Sequence, residues 1–206
     1  MRDLEIRGAG NLLGAKQHGH MEAVGYDLYC KMLNDAVKAL KGETSEEDTF
    51  DTSVDLDIDA FIPSTYIRNE FLKLEMYKRV AEIENENEFL DMQDEMLDRF
   101  GDIPNSVNNL LNIALLKAIA HKSFVTQIVH KDLEVKIVMY NKAKISVLGI
   151  PSVVEKFKPQ LTFVPDANPY FVWKVKERSK TGKIDVVALF DVLKKILIEL
   201  QGLIET

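Results

Sequence analysis

The sequence predicts an α+β fold: a glycine-rich helical segment at the N-terminus, an acidic linker, and a C-terminal domain that combines helices with a small sheet. Three observations indicate this. Apolar residues recur at spacings of three and four over much of 21–119 and 184–200, as amphipathic helices require. Short runs rich in β-branched residues occupy 124–175, and an acidic stretch without basic side chains lies at 43–53. The length of 206 residues suits one ordinary domain with an appendage.

The N-terminal segment, Arg2–His20, mixes charged side chains with glycines and is unsuited to an ordinary core element. Its glycines allow positive φ angles or close approach to another chain. Arg7 and Gln17 are long polar side chains held among them. A segment of this kind usually contacts something, so we expect it to be functional. The four glycines are Gly8, Gly10, Gly14 and Gly19.

Neither common nucleotide-binding loop is present in the sequence. The pair Gly8 and Gly10 begins a dinucleotide fingerprint, but the third glycine, Gly14, comes one residue too late and no apolar strand precedes Gly8. A Walker A loop is also missing, because the only Gly-Lys pair, at 182–183, is followed by Ile184. The glycines therefore do not predict a bound nucleotide.

An amphipathic helix is predicted over 21–40. Lys38 and Lys41 suit the negative end of its dipole, and Gly42 is placed to end it. We therefore take 1–42 as one unit. Residues 43–53 carry carboxylates that repel one another, and we expect a mobile linker there. The C-terminal domain is then 54–206.

Alternating apolar residues over 54–62 predict a half-buried strand, with Asp55, Asp57 and Asp59 on its wet face. The same aspartates resemble the start of a calcium-binding EF-hand loop. That interpretation fails because the sixth position is Ala60 where glycine is needed, and the twelfth is Tyr66 where glutamate is needed.

Three helices are predicted next, the first opened by a proline at position 63 and the third by a proline at position 104. Their apolar stripes are Ile67, Phe71, Leu74, Tyr77 and Ala81; Phe89, Met92, Met96 and Phe100; and Val107, Leu110, Leu111, Ala114, Ala118 and Ile119. The remainder predicts a small mixed or antiparallel sheet and a long closing helix. The predicted strands are 124–129, 133–140, 144–149, 161–164 and 170–175, with a short helix at 151–157 and the closing helix at 184–200.

Candidate chemical groups do not assemble into a catalytic or metal site in the sequence. His18 and His20 have no third ligand nearby for zinc. His121 ends a helix and His130 ends a strand. No nucleophile and base stand in a convincing pair. We therefore expect no catalytic residues and no metal or cofactor in this chain.

Other conspicuous residues have ordinary structural explanations. The single cysteine, Cys30, cannot form an internal disulfide and is expected to be packed, which fits a reducing cytoplasm. No apolar run is long enough to span a membrane. The acidic run Glu84, Glu86 and Glu88 is expected to be a solvated surface. The phenylalanines at helical spacing are expected in the core rather than as a platform for stacked bases; they are Phe61, Phe71, Phe89 and Phe100.

Charge is unevenly distributed along the chain, whose net charge is −7. Residues 1–103 hold 11 basic and 24 acidic side chains, and 104–206 hold 15 and 9. The acidic first half is unlike a DNA-wrapping surface. The basic second half leaves open one alternative, a stand-alone nucleic-acid-binding module.

Two parts of the sequence resemble known families. The run RDLEIRGAGNLLG, followed by Gln17 and the Gly-His pair, resembles the TRG motif of RecG-type DNA translocases. Its continuation VGYDLY, and the later runs YIRNEFLKLEMYKRVAEIEN and DRFGDIPNSVNNLL, are similar to the bacterial transcription-repair coupling factor family. The likeness covers 1–41 and about 61–121. His18 departs from the serine that the family often has, in a turn that tolerates either.

The resemblance implies a non-catalytic fragment of a larger DNA translocase. In that family the TRG segment is a helical hairpin that couples ATP hydrolysis to DNA translocation, and its motif Arg and Gln correspond to Arg7 and Gln17. ATP and Mg²⁺ belong to motor domains outside this fragment, which itself needs no cofactor. The C-terminal domain is implied to be an autoinhibitory lid over the module that binds UvrA, released when RNA polymerase is engaged in nucleotide excision repair. These contacts with UvrA, RNA polymerase and DNA run through the larger cytoplasmic protein.

Overall fold

The computed structural model describes residues 50–175 and 184–205, which form one mixed sheet and five α-helices. The Arg2–His20 segment, the helix predicted over 21–40 and linker residues 43–49 lie outside this range. The strands are β1 (Ser53–Asp55), β2 (Val125–Lys131), β3 (Glu134–Met139), β4 (Leu161–Val164) and β5 (Tyr170–Lys174). The helices are α1 (Glu70–Ala81), α2 (Glu86–Phe100), α3 (Asn105–Lys122), α4 (Ile150–Lys156) and α5 (Val186–Gln201), with a short 3-10 helix at Val147–Gly149.

The five strands lie in the order β1-β2-β3-β5-β4. β1 runs parallel to β2, and the other neighbours are antiparallel. Buried and exposed residues alternate along β3, so one face of the sheet is buried and the other is wet. The predicted α+β fold with a small mixed sheet is therefore confirmed.

The buried face of the sheet lies against α3, which is the centre of the domain. This helix contacts β1, β2, α1, α2 and α5. Apolar residues cover it nearly all round, as expected for a helix enclosed by other elements. The buried residues of α3 are Val107, Leu110, Leu111, Ile113, Ala114, Leu115, Leu116 and Ala120.

The predicted buried stripe of α1 is wrong in part, because Phe71 is 78% exposed. Asn69 caps this helix by accepting from the N–H groups of Phe71 and Leu72. The face that turns inward holds Lys73, Met76, Tyr77 and Val80. Amphipathic side chains can be buried there because their polar ends are satisfied: Lys73 Nζ donates to Ser64 Oγ at 3.0 Å.

Replacing Tyr77 by Phe is expected to destabilise the domain by about 1–3 kcal/mol. The Tyr77 hydroxyl oxygen accepts the Ile62 N–H at 2.9 Å in a buried position, and its loss leaves that donor unsatisfied. Urea unfolding measures the change. The matched control is Tyr170→Phe, since the Tyr170 hydroxyl makes no hydrogen bond within the described residues. Equal stability of the two variants would contradict the expectation.

Two predicted strands are shorter or absent. Of the 54–62 prediction only Val54 and Asp55 are paired, as part of β1. A bend in which the Ile58 N–H donates to the Leu56 carbonyl at 2.7 Å then turns the chain away. The strand predicted at 144–149 is wrong. Its backbone instead makes an isolated bridge with the C-terminal segment, Ile145 with Ile204, before the 3-10 helix begins.

The end of the predicted linker, residues 50–53, is packed on the domain. Phe50 stacks on His121, Phe124 and Tyr140, with ring centroids 4.5 to 5.6 Å away. Thr52 is buried, and its hydroxyl donates to the Val125 carbonyl at 2.8 Å. Because a hydroxyl has one proton, the Thr52 oxygen accepts its second bond, at 3.1 Å, from a protonated Nδ1 of His121. The signal for this packing was Phe50, an aromatic residue inside an acidic run.

Candidate docking surface

The residues predicted to couple ATP hydrolysis to movement, Arg7 and Gln17, lie outside the described part of the chain. The motif glycines Gly8, Gly10, Gly14 and Gly19 lie there as well. His18, His20 and Cys30 lie there too. The candidate surface that the structure does describe is therefore in the C-terminal domain, on α2.

Local sequence fixes where α2 begins and ends. Asn85 caps it by accepting the Glu88 N–H at 3.1 Å, and the Glu88 carboxylate reaches back to accept the Glu84 N–H at 2.7 Å. Carboxylates in the first turn, including Glu86, also suit the positive end of the helix dipole. The predicted acidic surface at 84–88 is exposed, and part of it is also a helix cap. Gly101, with φ of 83°, ends the helix.

The inward face of α2 holds Phe89, Met92 and Met96, as the apolar spacing predicts. It packs on α3, where Gln93 Nε2 donates to Asn108 Oδ1 at 2.8 Å. Phe89 is core, as expected, and Phe61 and Phe100 are half-buried. Of the four phenylalanines considered, Phe71 alone is fully on the surface.

The opposite face of α2 combines exposed leucines with carboxylates. We call Leu90, Asp91, Asp94, Leu97 and Asp98 the α2 stripe. Their spacing of three and four residues places them on one side of the helix. Leu90 and Leu97 are 49% and 47% exposed. No cation pairs with the three aspartates anywhere in the described ranges. The stripe is thus an apolar pair surrounded by uncompensated negative charge.

An ion-pair network beside the stripe fixes α2 to α1. The Glu95 carboxylate accepts from the Arg79 guanidinium in a two-point contact and from Arg99 at 2.6 Å. The hydrogen bond from Arg79 lowers the pKa of Glu95, with Arg99 adding to the effect. The same contact raises the pKa of Arg79. Because the folded-state pKa of Glu95 is depressed, the pair contributes stability above the ordinary carboxyl pKa and loses it as pH falls through the folded value.

The α2 stripe was not predicted from the sequence, because the apolar spacing of α2 indicates only its buried positions. Leu90 and Leu97 lie seven residues apart and outside the Phe89, Met92 and Met96 stripe. A helical projection would have separated the two leucines from the core face. Whether another element of the fold covers the two leucines depends on the tertiary structure.

Within 50–175 and 184–205, no group of three His, Cys, Asp or Glu side chains is placed to hold a metal ion. No helix in this part of the chain is long and apolar enough to cross a membrane.

The domain and its sequence match proteins of one family. Residues 56–150 match the TRCF domain. The transcription-repair-coupling factor of Bacillus subtilis (strain 168) is 45% identical over 152 residues, 72% of this chain and 13% of that protein. The corresponding protein of Staphylococcus haemolyticus is 43% identical over 144 residues, 69% of this chain and 12% of that protein.

A solved structure agrees with these relatives. The crystal structure of the C-terminal domain of transcription-repair coupling factor matches with a TM-score of 0.62 and 25% identity, over 77% of this chain and 98% of that one. The chain therefore spans a small part of the length of its curated relatives. From its sequence and its fold alike, this chain belongs to the transcription-repair-coupling factor family, as a piece that contains the C-terminal domain.

Proposed function

We propose that this chain is the regulatory C-terminal region of a longer transcription-repair coupling protein, called the parent below. Residues 1–42 end its motor domain, 43–53 link the two parts with 50–53 already packed on the second, and 54–206 form the regulatory domain. The region itself catalyses nothing. ATP and Mg²⁺ bind in the motor domains of the parent, which acts on DNA in the cytoplasm.

Each part has its own role in this proposal. Arg7, Gln17 and the motif glycines relay ATP-driven movement to DNA. The C-terminal domain packs on the N-terminal module of the parent and masks its UvrA-binding surface. Engagement of RNA polymerase releases the mask during nucleotide excision repair.

The α2 stripe is the observation that carries the masking role. Its leucines provide an apolar centre, and its aspartates provide a polar rim, which is how non-obligate protein interfaces are built. The unpaired negative charge selects a basic partner surface. Within one protein such contacts form at high effective concentration, so a small stripe suffices to hold a closed state.

The experiment reverses the charge of the stripe in the parent. With Asp91→Lys, Asp94→Lys and Asp98→Lys together, affinity for UvrA is expected to rise about tenfold, since each exposed ion pair contributes about 0.2–1 kcal/mol to the closed state. Isothermal titration of UvrA at matched salt measures the change. The matched control reverses three exposed acids elsewhere, Glu155, Asp166 and Glu205. A stripe variant that binds UvrA no better than this control refutes the assignment of the stripe.

The second candidate, a nucleic-acid-binding module, has less support. Some of the basic side chains in the second half are engaged within the domain: Lys156 pairs with Glu199 at 2.6 Å, and Lys136 lies 3.9 Å over the Tyr170 ring. Lys122 donates to the Glu84 carbonyl at 2.7 Å. A DNA affinity that falls steeply with salt would favour this candidate.

A further inference from the structure

A second acidic surface, separate from the α2 stripe, forms a groove at the β1 edge of the sheet. The groove lies between residues 55–61, the first turn of α3, the β2–β3 turn and the start of α5, and has a volume of about 970 Å³. That is the upper end of the roughly 300–1,000 Å³ typical of ligand pockets. Its apolar lining residues are Leu56, Ile58, Phe61, Ile184 and Val186. We call it the acidic groove.

Four carboxylates line the acidic groove: Asp55, Asp57, Asp59 and Asp132. All four are exposed, and none has a cationic partner within the described residues. Lys131 is the single Lys or Arg among the residues that line the groove. One of the two Asn109 side-chain N–H groups donates to the Asp59 carbonyl oxygen at 2.9 Å. With four carboxylates and one lysine in its lining, the groove carries net negative charge.

His130 provides an independent sign of a missing partner. It lines the groove, is 6% exposed, and its Nε2 lies 2.9 Å from the Asp132 carbonyl oxygen. A carbonyl only accepts, so Nε2 carries a proton in this contact. Nδ1 is buried without a hydrogen-bond partner. A buried polar atom of this kind is normally satisfied.

We propose that the acidic groove binds an extended basic segment of another protein. Ionised carboxylates only accept hydrogen bonds, so a ligand that bridges the four aspartates must donate. One metal ion is not the answer, because no three acidic or imidazole groups among the described residues converge on a point. Carboxylates spread along a groove instead fit several cationic side chains in a row, arginine above all. Apolar residues between the cations would cover the apolar lining, and nucleic acid would be repelled.

This inference does not depend on the proposed masking role, and its test uses the 206-residue chain alone. The probe is a short fluorescein-labelled peptide in which Arg and Val alternate, followed by fluorescence anisotropy. The variant with Asp55→Asn, Asp57→Asn and Asp59→Asn is expected to bind it at least about tenfold more weakly than the wild type. These exposed, nearly isosteric changes should preserve the fold, which thermal unfolding verifies.

The matched control removes equal charge from the α2 stripe: Asp91→Asn, Asp94→Asn and Asp98→Asn. Wild-type affinity in this control, with a shifted ¹⁵N resonance of His130 Nδ1 when peptide binds wild type, supports the groove. Equal weakening in both triple variants overturns it, because the peptide would then sense only net charge.

The sequence carries a basic segment of its own at 176–183, directly before the groove residue Ile184 along the chain, and it is tested as a competitor. Lys176, Arg178, Lys180 and Lys183 are replaced by Ser. If the peptide binds only in this variant, the groove serves the chain's own segment and the proposal of a second protein fails. Comparable binding with and without these four residues supports a separate partner.

Discussion

Removing residues 54–206 from the parent is expected to raise its affinity for UvrA roughly 30- to 150-fold. This corresponds to a closed state favoured by about 2–3 kcal/mol, within the usual range of coupling between sites. A lid that competes within one molecule needs only modest affinity to hide a surface, because its contacts form at high effective concentration. Deletion abolishes the closed state completely, whereas charge reversal on the α2 stripe only weakens it.

Titration of UvrA against intact and truncated parent, at matched salt, measures the effect. The isolated domain added in trans should restore part of the mask when its concentration approaches the effective concentration of the tethered form. A domain carrying the three lysine substitutions on the α2 stripe serves as the inactive control. Equal affinities for intact and truncated parent, with no effect of the added domain, would show that the domain serves another partner.

Arg7→Ala or Gln17→Ala in the parent is expected to lower DNA translocation by about ten- to a hundredfold while ATP hydrolysis persists. The estimate assumes the loss of a hydrogen bond to a charged group, about 1.5–3 kcal/mol. The reason for the selective effect is that the motif is proposed to relay movement and not to bind nucleotide. Triplex displacement, measured beside phosphate release, separates the two activities.

Glu22→Ala, just beyond the motif, is the comparison variant for this experiment. It should leave both activities near the wild-type values. If Arg7→Ala or Gln17→Ala reduces hydrolysis and translocation equally, these residues have a folding or nucleotide-site role and the coupling proposal fails.

Local periodicity in the sequence was enough to predict most elements of the domain. Helices predicted at 87–99 and 184–200 are confirmed as Glu86–Phe100 and Val186–Gln201. The strand predicted at 161–164 is confirmed with the same bounds. These signals are reliable because helix and strand repeats are set by backbone geometry within a few residues. Capping residues fix the first residue of a helix: the side chains of Asn85 and Asp185 accept backbone N–H groups at the starts of α2 and α5.

What an element packs against was decided only by the tertiary structure. The parallel pairing of Val54 with Ile128 joins residues far apart in sequence, and no local pattern specifies it. The face of α1 that holds Lys73 and Tyr77 is turned inward because both polar ends find hydrogen-bond partners there. The Tyr77 hydroxyl accepts the Ile62 N–H, and Lys73 Nζ donates to the Ser64 hydroxyl. Segment 144–149 has strand-like composition, but the partner it found was the C-terminal segment and not the sheet.

Both candidate surfaces show the same division between sequence and tertiary structure. The acidic residues of the α2 stripe and of the acidic groove are plain in the sequence, where charge alone predicts a solvated surface. In the folded domain, α3 covers one face of α2, and Leu90 and Leu97 on the opposite face remain exposed to solvent. It also brought Asp132 and His130 beside Asp55, Asp57 and Asp59. Sequence determined which side chains could bind a basic partner, and long-range packing determined which of them lie together, because burial depends on contacts between residues distant along the chain.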